Sequence, residues 1–414
     1  MKNKPQAVIL AAGKGIRFHP LTKNCPKPLL KVLNKTILEH NLDQLDNLVS
    51  EVILVIGYQG DKIKDFFGSR YKNLKIKYIF QDPQLGTGDA AKTALSLIKD
   101  KFLVLNGDDI YDKEDIKKCL KRYPCILLSR VENSSNFGVV ALSKNFVKGI
   151  VEKPKKAVDH LVNTGLYFLP KSILNFKIKK SPRGEYELTD YANEFIKKDK
   201  LFFVVAKNWY PLPYPWYLFE VNEFLLKKEK MVRKGKIEKN CTIRGKVIIG
   251  KGSIIKSGSY LQGPIYIGEN CQIGPNCFLR GPISIGSNCV VGLAVEMKNS
   301  LIGDNSQVCH LSFVGDSIIG KDCNLAAGTI VANFRFDKKT IKVTANGDSI
   351  DTKREKLGCI LGENVKTGVN SSIMPGIIIG QNAIVGPNSL VRENIPDNTI
   401  FYTKFQKAVK KQSS

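Results

Sequence analysis

Residues 249–297 read IGKGSIIKSGSYLQGPIYIGENCQIGPNCFLRGPISIGSNCVVGLAVEM, with an aliphatic side chain or Met at every sixth position. The series is Ile249, Ile255, Leu261, Ile267, Ile273, Leu279, Ile285, Val291 and Met297. Four residues after most of these comes a second small or apolar side chain: Ser253, Ser259, Ile265, Cys271, Cys277, Ile283, Cys289 and Val295. Gly follows the aliphatic residue at 250, 268, 274, 286 and 292, as a tight corner requires. A strict period of six is not helical. It is the signature of a parallel β-helix, in which short strands stack as coils around an aliphatic core. The series slips by one residue to Ile302, Val308 and Val314, and again to Ile319 and Leu325. It resumes at Leu361, Thr367, Ile373, Ile379, Val385 and Val391. Residues 334–356 break the repeat and are expected to form an inserted loop or arm.

Upstream the pattern is different. Residues 51–57, 75–80 and 102–105 read as strands, and residues 61–67 and 89–98 as helices. Such alternation predicts a mostly parallel, helix-covered sheet with ligands at the strand C-terminal ends. The domains expected are therefore an α/β domain at 1–225, a Lys-rich linker at 226–240, a β-helix at 241–400 and a basic tail at 401–414. Residues 222–235 read as a helical bridge between the two large domains.

Residues 8–32 read VILAAGKGIRFHPLTKNCPKPLLKV. A short apolar strand leads into a loop of small residues that includes Ala12, Gly13 and Gly15. Glycines let the backbone approach a phosphate and turn N–H groups toward it. Arg17 follows, and Lys27 stands between Pro26 and Pro28, which restrict the chain around it. Two fixed cations beside such a loop suit a nucleoside triphosphate.

The 414 residues carry a net charge of +26, with 43% hydrophobic residues. That charge attracts nucleotides, sugar phosphates and coenzyme A, though most of the lysines read as a solvated surface. No nucleic-acid motif accompanies it, so no specific nucleic-acid partner is expected. No apolar run approaches a membrane span and no signal-peptide core follows MKNKPQ, so no membrane partner and a cytoplasmic location are expected. The ten cysteines include no C-x-x-C, which argues against zinc and for reduced packing thiols.

The strings GKGIR at 13–17, PLT at 20–22 and PKPL at 26–29 resemble the signature of sugar-1-phosphate nucleotidyltransferases. Ile16 stands where that family usually has Thr. The resemblance implies a Rossmann-like domain with Arg17 and Lys27 as catalytic cations. QDPQLGTG at 81–88 resembles the nucleobase loop, implying nucleotide contacts from Gln81, Gly86 and Thr87 beside those of Ala12, Gly13 and Gly15. Asp108 matches a Gly-Asp that holds Mg²⁺. Gly138, Glu152, Lys153 and Asn163 fall in strings that bind the sugar phosphate, and residues 184–190 resemble a segment that caps its pocket. Where relatives carry the Asp that is the second Mg²⁺ ligand, this chain has Pro211 and Tyr217; Asn222 is the candidate substitute.

The second half resembles hexapeptide-repeat acyltransferases, which implies a left-handed coil and a homotrimer with the acyl site between subunits. Residues 295–334 resemble the acetyltransferase half of the bifunctional enzymes that acetylate glucosamine-1-phosphate and then uridylylate the product. By that resemblance His310 is the general base, and the Ala327 N–H faces the thioester oxyanion. Arg280, Lys298 and Lys339 hold the sugar phosphate, Glu296, Asn324 and Asn333 place sugar and amine, and Lys342 reaches phosphate or acetyl-CoA. Phe313 and Phe334 stand where the nearest relatives carry Tyr. The expected function is a bifunctional enzyme that uses a nucleoside triphosphate, a sugar-1-phosphate and acetyl-CoA, with Mg²⁺. The open alternatives are an acetyltransferase with a degenerate nucleotide-binding half, and a non-catalytic regulatory subunit of the same layout.

Overall fold

The computed structural model describes residues 4–154 and 160–405. Two compact units emerge, the first made of Met1–Ile16, Asn24–Leu30 and Lys35–Pro213, the second of Arg17–Lys23, Lys31–Asn34 and Tyr214–Ser414.

In the first unit Gln6–Ala11 is the central strand, buried along its whole length. It pairs in parallel with Glu51–Ile56 on one side and Lys101–Asn106 on the other. Ala7, Ile9 and Ala11 face one apolar cluster, and Val8 and Leu10 face a second on the opposite side of the sheet. A strand covered on both faces reads as a continuous apolar run, as this one does. Leu74–Phe80 extends the parallel part. The rest of the ten-stranded sheet corrects the expectation of a mostly parallel one. Leu161–Pro170 runs antiparallel to both Lys101–Asn106 and Cys125–Arg130, and Gly138–Ser143 forms a hairpin with Phe146–Glu152. Period-two alternation marks a strand but carries no sign of its direction.

The second unit is the expected β-helix. Sheets of nine, eight and seven strands form its three faces, and every described pairing within them is parallel. The first coils advance by 18 residues, as Val247↔Ile265 and Phe278↔Glu296 show. The slips in the aliphatic series become coils of 17, at Ser284↔Leu301 and then Leu301↔Ile318. In the next coil Ile318 pairs with Ile360, 42 residues on, which is 24 more than a coil of 18. Those extra residues include an antiparallel hairpin, Lys342–Ala345 with Asp348–Asp351, closed at its base by a bridge between Phe334 and Lys356.

Asn residues turn the corners. Asn270, Asn288, Asn305, Asn364 and Asn382 all have positive φ, a region Asn tolerates better than other side chains bearing a Cβ. Their amides also form ladders: Asn270 donates to Asn288, Asn288 to Asn305, Asn364 to Asn382 and Asn382 to Asn398, at 2.9 to 3.4 Å. The predicted linker and bridge resolve differently. Leu218–Lys228 is a helix that belongs to the second unit, and the first coil strand is already present at Lys236–Ile237. Of the predicted tail, residues 406–414 lie outside the described ones.

All ten cysteines are free, and Cys271, Cys277 and Cys289 are buried in the coil interior. The Cys271 thiol donates to the Gly286 carbonyl at 3.0 Å and that of Cys289 to the Gly303 carbonyl at 3.2 Å. Ser253 makes the same bond to Gly268 one coil earlier, which explains why Ser and Cys interchange at this position. These three thiols should react slowly with alkylating reagents in the native protein. Cys277→Lys places an unpaired ammonium in the core and should unfold the coil. Rapid native labelling of all three would refute this register.

Candidate active sites

In the first unit, a cavity of about 450 Å³ opens at the C-terminal end of Gln6–Ala11. Ala12, Gly13, Gly15, Lys27, Gln81, Gly86, Thr87 and Asp108 all line it, so residues far apart in sequence meet there as the motifs imply. The Lys27 ammonium is buried, 2.7 Å from the Asp108 carboxylate, and also donates to the Leu212 carbonyl. Asp108 remains partly open, with 42% of its side chain exposed against 9% for Lys27. A buried cation held on two sides is a fixed charge rather than a mobile one.

Gln81 uses its amide nitrogen to hold the loop, donating to the Gly86 carbonyl at 3.0 Å and to Asp89 at 2.8 Å. Gly86 has φ +114°, and a Cβ there would stand 2.5 Å from the Tyr186 carbonyl oxygen. The loop and the segment expected to cap the sugar pocket are therefore packed backbone to backbone, with Gly88 N–H on Tyr186 and Tyr186 N–H on Leu85, both at 2.8 Å.

The sugar-site strings adjoin this cavity through charge. Glu185 lines the cavity, and Arg183 lies 3.6 Å from Glu185, 3.7 Å from Glu152 and in closer contact with Glu187. Burial pushes the Glu152 carboxyl up, Glu187 adds to the shift, and Lys153 and Arg183 oppose it. Gly138 packs against Glu152 so closely that a Cβ would meet the carboxylate at 2.9 Å. Asn163 accepts from the Gly165 N–H at 2.8 Å.

Asp109 is a residue that motif reading passed over. It is buried beside Asp108 and accepts from the Leu212 N–H at 3.2 Å. Burial, then the neighbouring Asp108 charge, push its carboxyl up to about 7 against the pull of Lys27. Its signal in the sequence is the second Asp of Gly107-Asp108-Asp109, adjacent to the one that matches the Gly-Asp string.

The remaining candidates lie in the second unit. Arg17 sits in the turn Ile16–Phe18, 5.7 Å over the Tyr214 ring, and does not line the cavity. Asn222 is fully buried, with its carbonyl oxygen taken by the Ser284 hydroxyl. It packs the helix Leu218–Lys228 against the coil and has no open face for a metal, so the expectation for it is corrected. Among the described residues no three His, Cys, Asp or Glu side chains gather as a metal cage. One open carboxylate fits Mg²⁺ of the kind shared with substrate phosphates, which keeps most of its other ligands as water and phosphate oxygens.

His310 ends the strand Gln307–His310, exposed, at the corner between the nine- and eight-stranded faces. Its carbonyl is anchored by the Ser312 hydroxyl at 2.7 Å and the Gly328 N–H at 3.2 Å, while its imidazole makes no hydrogen bond among the described residues. Ala327 precedes that Gly328 contact; its carbonyl is taken by Asn370, and its N–H has no acceptor among the described residues. Asn324 lies on the nine-stranded face with His310, in register with Gln307. Arg280, Glu296 and Lys298 share the eight-stranded face, where Arg280 pairs with Glu296. Lys298 and Asn333 meet at Asp316, at 3.9 and 2.6 Å. Lys339 and Lys342 are exposed on the inserted arm, and their ammonium groups make no hydrogen bond among the described residues.

A family described as nucleotidyl transferase matches residues 6–228, and one described as the GMPPB C-terminal domain matches residues 261–401. The chain is 43% identical over 412 residues to a bifunctional protein GlmU of Methanococcus maripaludis, covering 98% of this chain and 99% of the relative. A bifunctional protein GlmU of Methanocaldococcus jannaschii is 40% identical, covering 96% and 97%. A bifunctional sugar-1-phosphate nucleotidylyltransferase/acetyltransferase of Sulfurisphaera tokodaii is 36% identical, covering 94% and 98%. The chain belongs to the GlmU family. As a member of it, this chain carries both sets of candidate residues, one in each compact unit apart from Arg17 and Asn222.

Between pH 3.8 and about 7, folded Asp109 keeps a proton that the unfolded chain has lost. The unfolded state then binds fewer protons, so this residue's contribution to stability falls as pH rises through that window. Asp109→Asn removes the titration. Its denaturant midpoint should fall less than that of the wild type across the window, and identical pH profiles would exclude Asp109 as the source.

Proposed function

We propose that this chain is a bifunctional enzyme of amino-sugar nucleotide synthesis. One activity acetylates glucosamine-1-phosphate, or a related amino-sugar-1-phosphate, with acetyl-CoA. The other transfers a nucleotidyl group from UTP or dTTP to the sugar-1-phosphate and releases pyrophosphate. The observation that carries this reading is similarity along the full length to proteins named for both activities. It favours two active halves over a degenerate or regulatory one.

For nucleotidyl transfer, a sugar-phosphate oxygen attacks the α-phosphorus as the bond to the β-phosphate breaks. Protein catalysis here is mostly positioning and charge neutralisation. The 12–15 loop presents backbone to the phosphates, and Lys27 meets them with a charge already fixed. Gln81 and Gly86 border the base, and Glu152 and Asn163 take sugar hydroxyls, with Lys153 on the acceptor phosphate. Mg²⁺ on Asp108 would neutralise charge developing on the triphosphate. Pro211 and Tyr217 offer no second carboxylate, and turnover should be low for the family.

For acetyl transfer, the amine attacks the thioester carbonyl, the C–S bond breaks and coenzyme A leaves as the thiol. His310 accepts the proton the ammonium must lose first, and the Ala327 N–H faces the oxyanion. Arg280, Lys298 and Lys339 take the phosphate, Glu296, Asn324 and Asn333 the sugar and amine, and Lys342 phosphate or coenzyme. Leu293 and Leu311, 43% and 65% exposed beside His310, suit burial by a neighbouring copy, in keeping with a homotrimer. No described helix is long and apolar enough to cross a membrane, and the proposed substrates are those of the cytoplasm.

Asp108→Asn should abolish UDP-sugar formation and leave acetyl transfer largely intact. His310→Ala should do the reverse, lowering acetyl-transfer kcat by about 10²–10⁴ with little change in acetyl-CoA affinity. Mass spectrometry of both products for each variant checks this. Near-wild-type acetylation by His310→Ala would return His310 to a structural corner residue.

A further inference from the structure

Three successive coils are altered at one corner. Two are shortened by a residue, at the turns that hold Asn299 and Asp316, and the third takes the inserted hairpin. Residues at the hairpin base return to that corner, where the Gly358 N–H donates to the Asp316 carbonyl at 2.8 Å. A cavity of about 390 Å³ remains, lined by Asp316, Lys353, Arg354, Glu355 and Lys356.

The groups around it favour an anion. Three cations line it against two acids; just outside, Lys298 lies 3.9 Å from Asp316, and Glu220 and Asp351 pair with Arg354 and Lys353, so the case for an anion rests on donors rather than on net charge. Asp316 is already matched, since Asn299 and Asn333 each donate to it at 2.6 Å. Arg354 is held in place by Glu220 and by the Phe219 ring 4.8 Å from its guanidinium, yet its Nε is buried without a partner among the described residues. A buried guanidinium N–H left unsatisfied calls for an acceptor oxygen. Lys353 is paired with Asp351 at 3.0 Å, and Lys356 lies 5.9 Å from the Phe334 ring. A fixed guanidinium flanked by two flexible ammonium groups suits a tetrahedral dianion, which accepts several charge-assisted hydrogen bonds at once.

We propose that this corner cavity is a phosphomonoester subsite for acetyl transfer, built from Lys353, Arg354 and Lys356 beside Lys298 and Asn333. The inference rests on the acetyltransferase reading above, in which two reactants carry such a group: the amino-sugar-1-phosphate, and coenzyme A through its 3′-phosphate. Both present the same chemistry to the cavity.

The test uses the full chain and the double variant Lys353→Gln with Lys356→Gln, which keeps most of each stem and removes both charges. Nucleotidyl transfer reports whether the variant is folded, and single variants replace the double if it is not. Calorimetry measures binding of glucosamine-1-phosphate against glucosamine, and of coenzyme A against 3′-dephospho-coenzyme A; steady-state kinetics gives KM and kcat for acetylation. Affinity for one phosphorylated compound should fall about tenfold or more, with its unphosphorylated counterpart and kcat little changed. Loss confined to glucosamine-1-phosphate identifies the acceptor phosphate, and loss confined to coenzyme A identifies the 3′-phosphate. Equal binding of both phosphorylated compounds by wild type and variant overturns the subsite, whatever the acetylation rate. A wild type that acetylates no amino sugar, but loses phosphate-dependent binding in the variant, overturns the acetyltransferase reading and leaves the subsite standing.

Discussion

Each turn of the β-helix has to close in a set number of residues so that every strand meets the next in register. Backbone ladder bonds run from coil to coil, so the length of one turn fixes which side chains stack on the neighbouring turn. With 18 residues per coil, aliphatic side chains stack on aliphatic ones and corner Asn stacks on corner Asn. Removing one residue is tolerated only at a corner, where it tightens the turn without moving the flanking strands to the other face. That has happened twice in a row, and the coils concerned carry Glu296, Lys298, His310 and Asn324. The third coil relaxes the same corner in the opposite direction, by insertion. The candidate acetyl-transfer residues are thus displayed where the repeat is least regular, as expected if binding residues sit on departures from a rigid scaffold.

The first unit prepares its site by a different means. Its cavity is walled by groups whose charges are set before any ligand arrives. Lys27 is immobilised between the Asp108 carboxylate and the Leu212 carbonyl, and Asp109 beside them holds the Leu212 N–H. Arg183 gathers Glu152, Glu185 and Glu187, which without it would be a cluster of like charges. Preorganised charge of this kind costs little reorganisation when substrate charge appears. The segment at Leu212 supplies the backbone carbonyl and N–H that orient Lys27 and Asp109.

By itself the sequence determined whatever is periodic or contiguous. A six-residue period has one structural solution, so the β-helix, its interior and even its two one-residue slips could be read directly from Ile249 to Leu325. Contiguous strings such as 81–88 and 26–29 likewise named residues that do share a cavity. What tertiary structure decided concerns direction, partnership and burial. Strand direction leaves no mark on alternation, so the antiparallel Leu161–Pro170 was invisible. Asn222 has the right chemistry for a ligand but is buried against Ser284. Asp316 gathers Lys298, Asn299 and Asn333, and Lys353 to Lys356 return to it across a 24-residue insertion. No local pattern records such meetings, because the forces that join them act between residues distant along the chain and depend on which surfaces folding has dried.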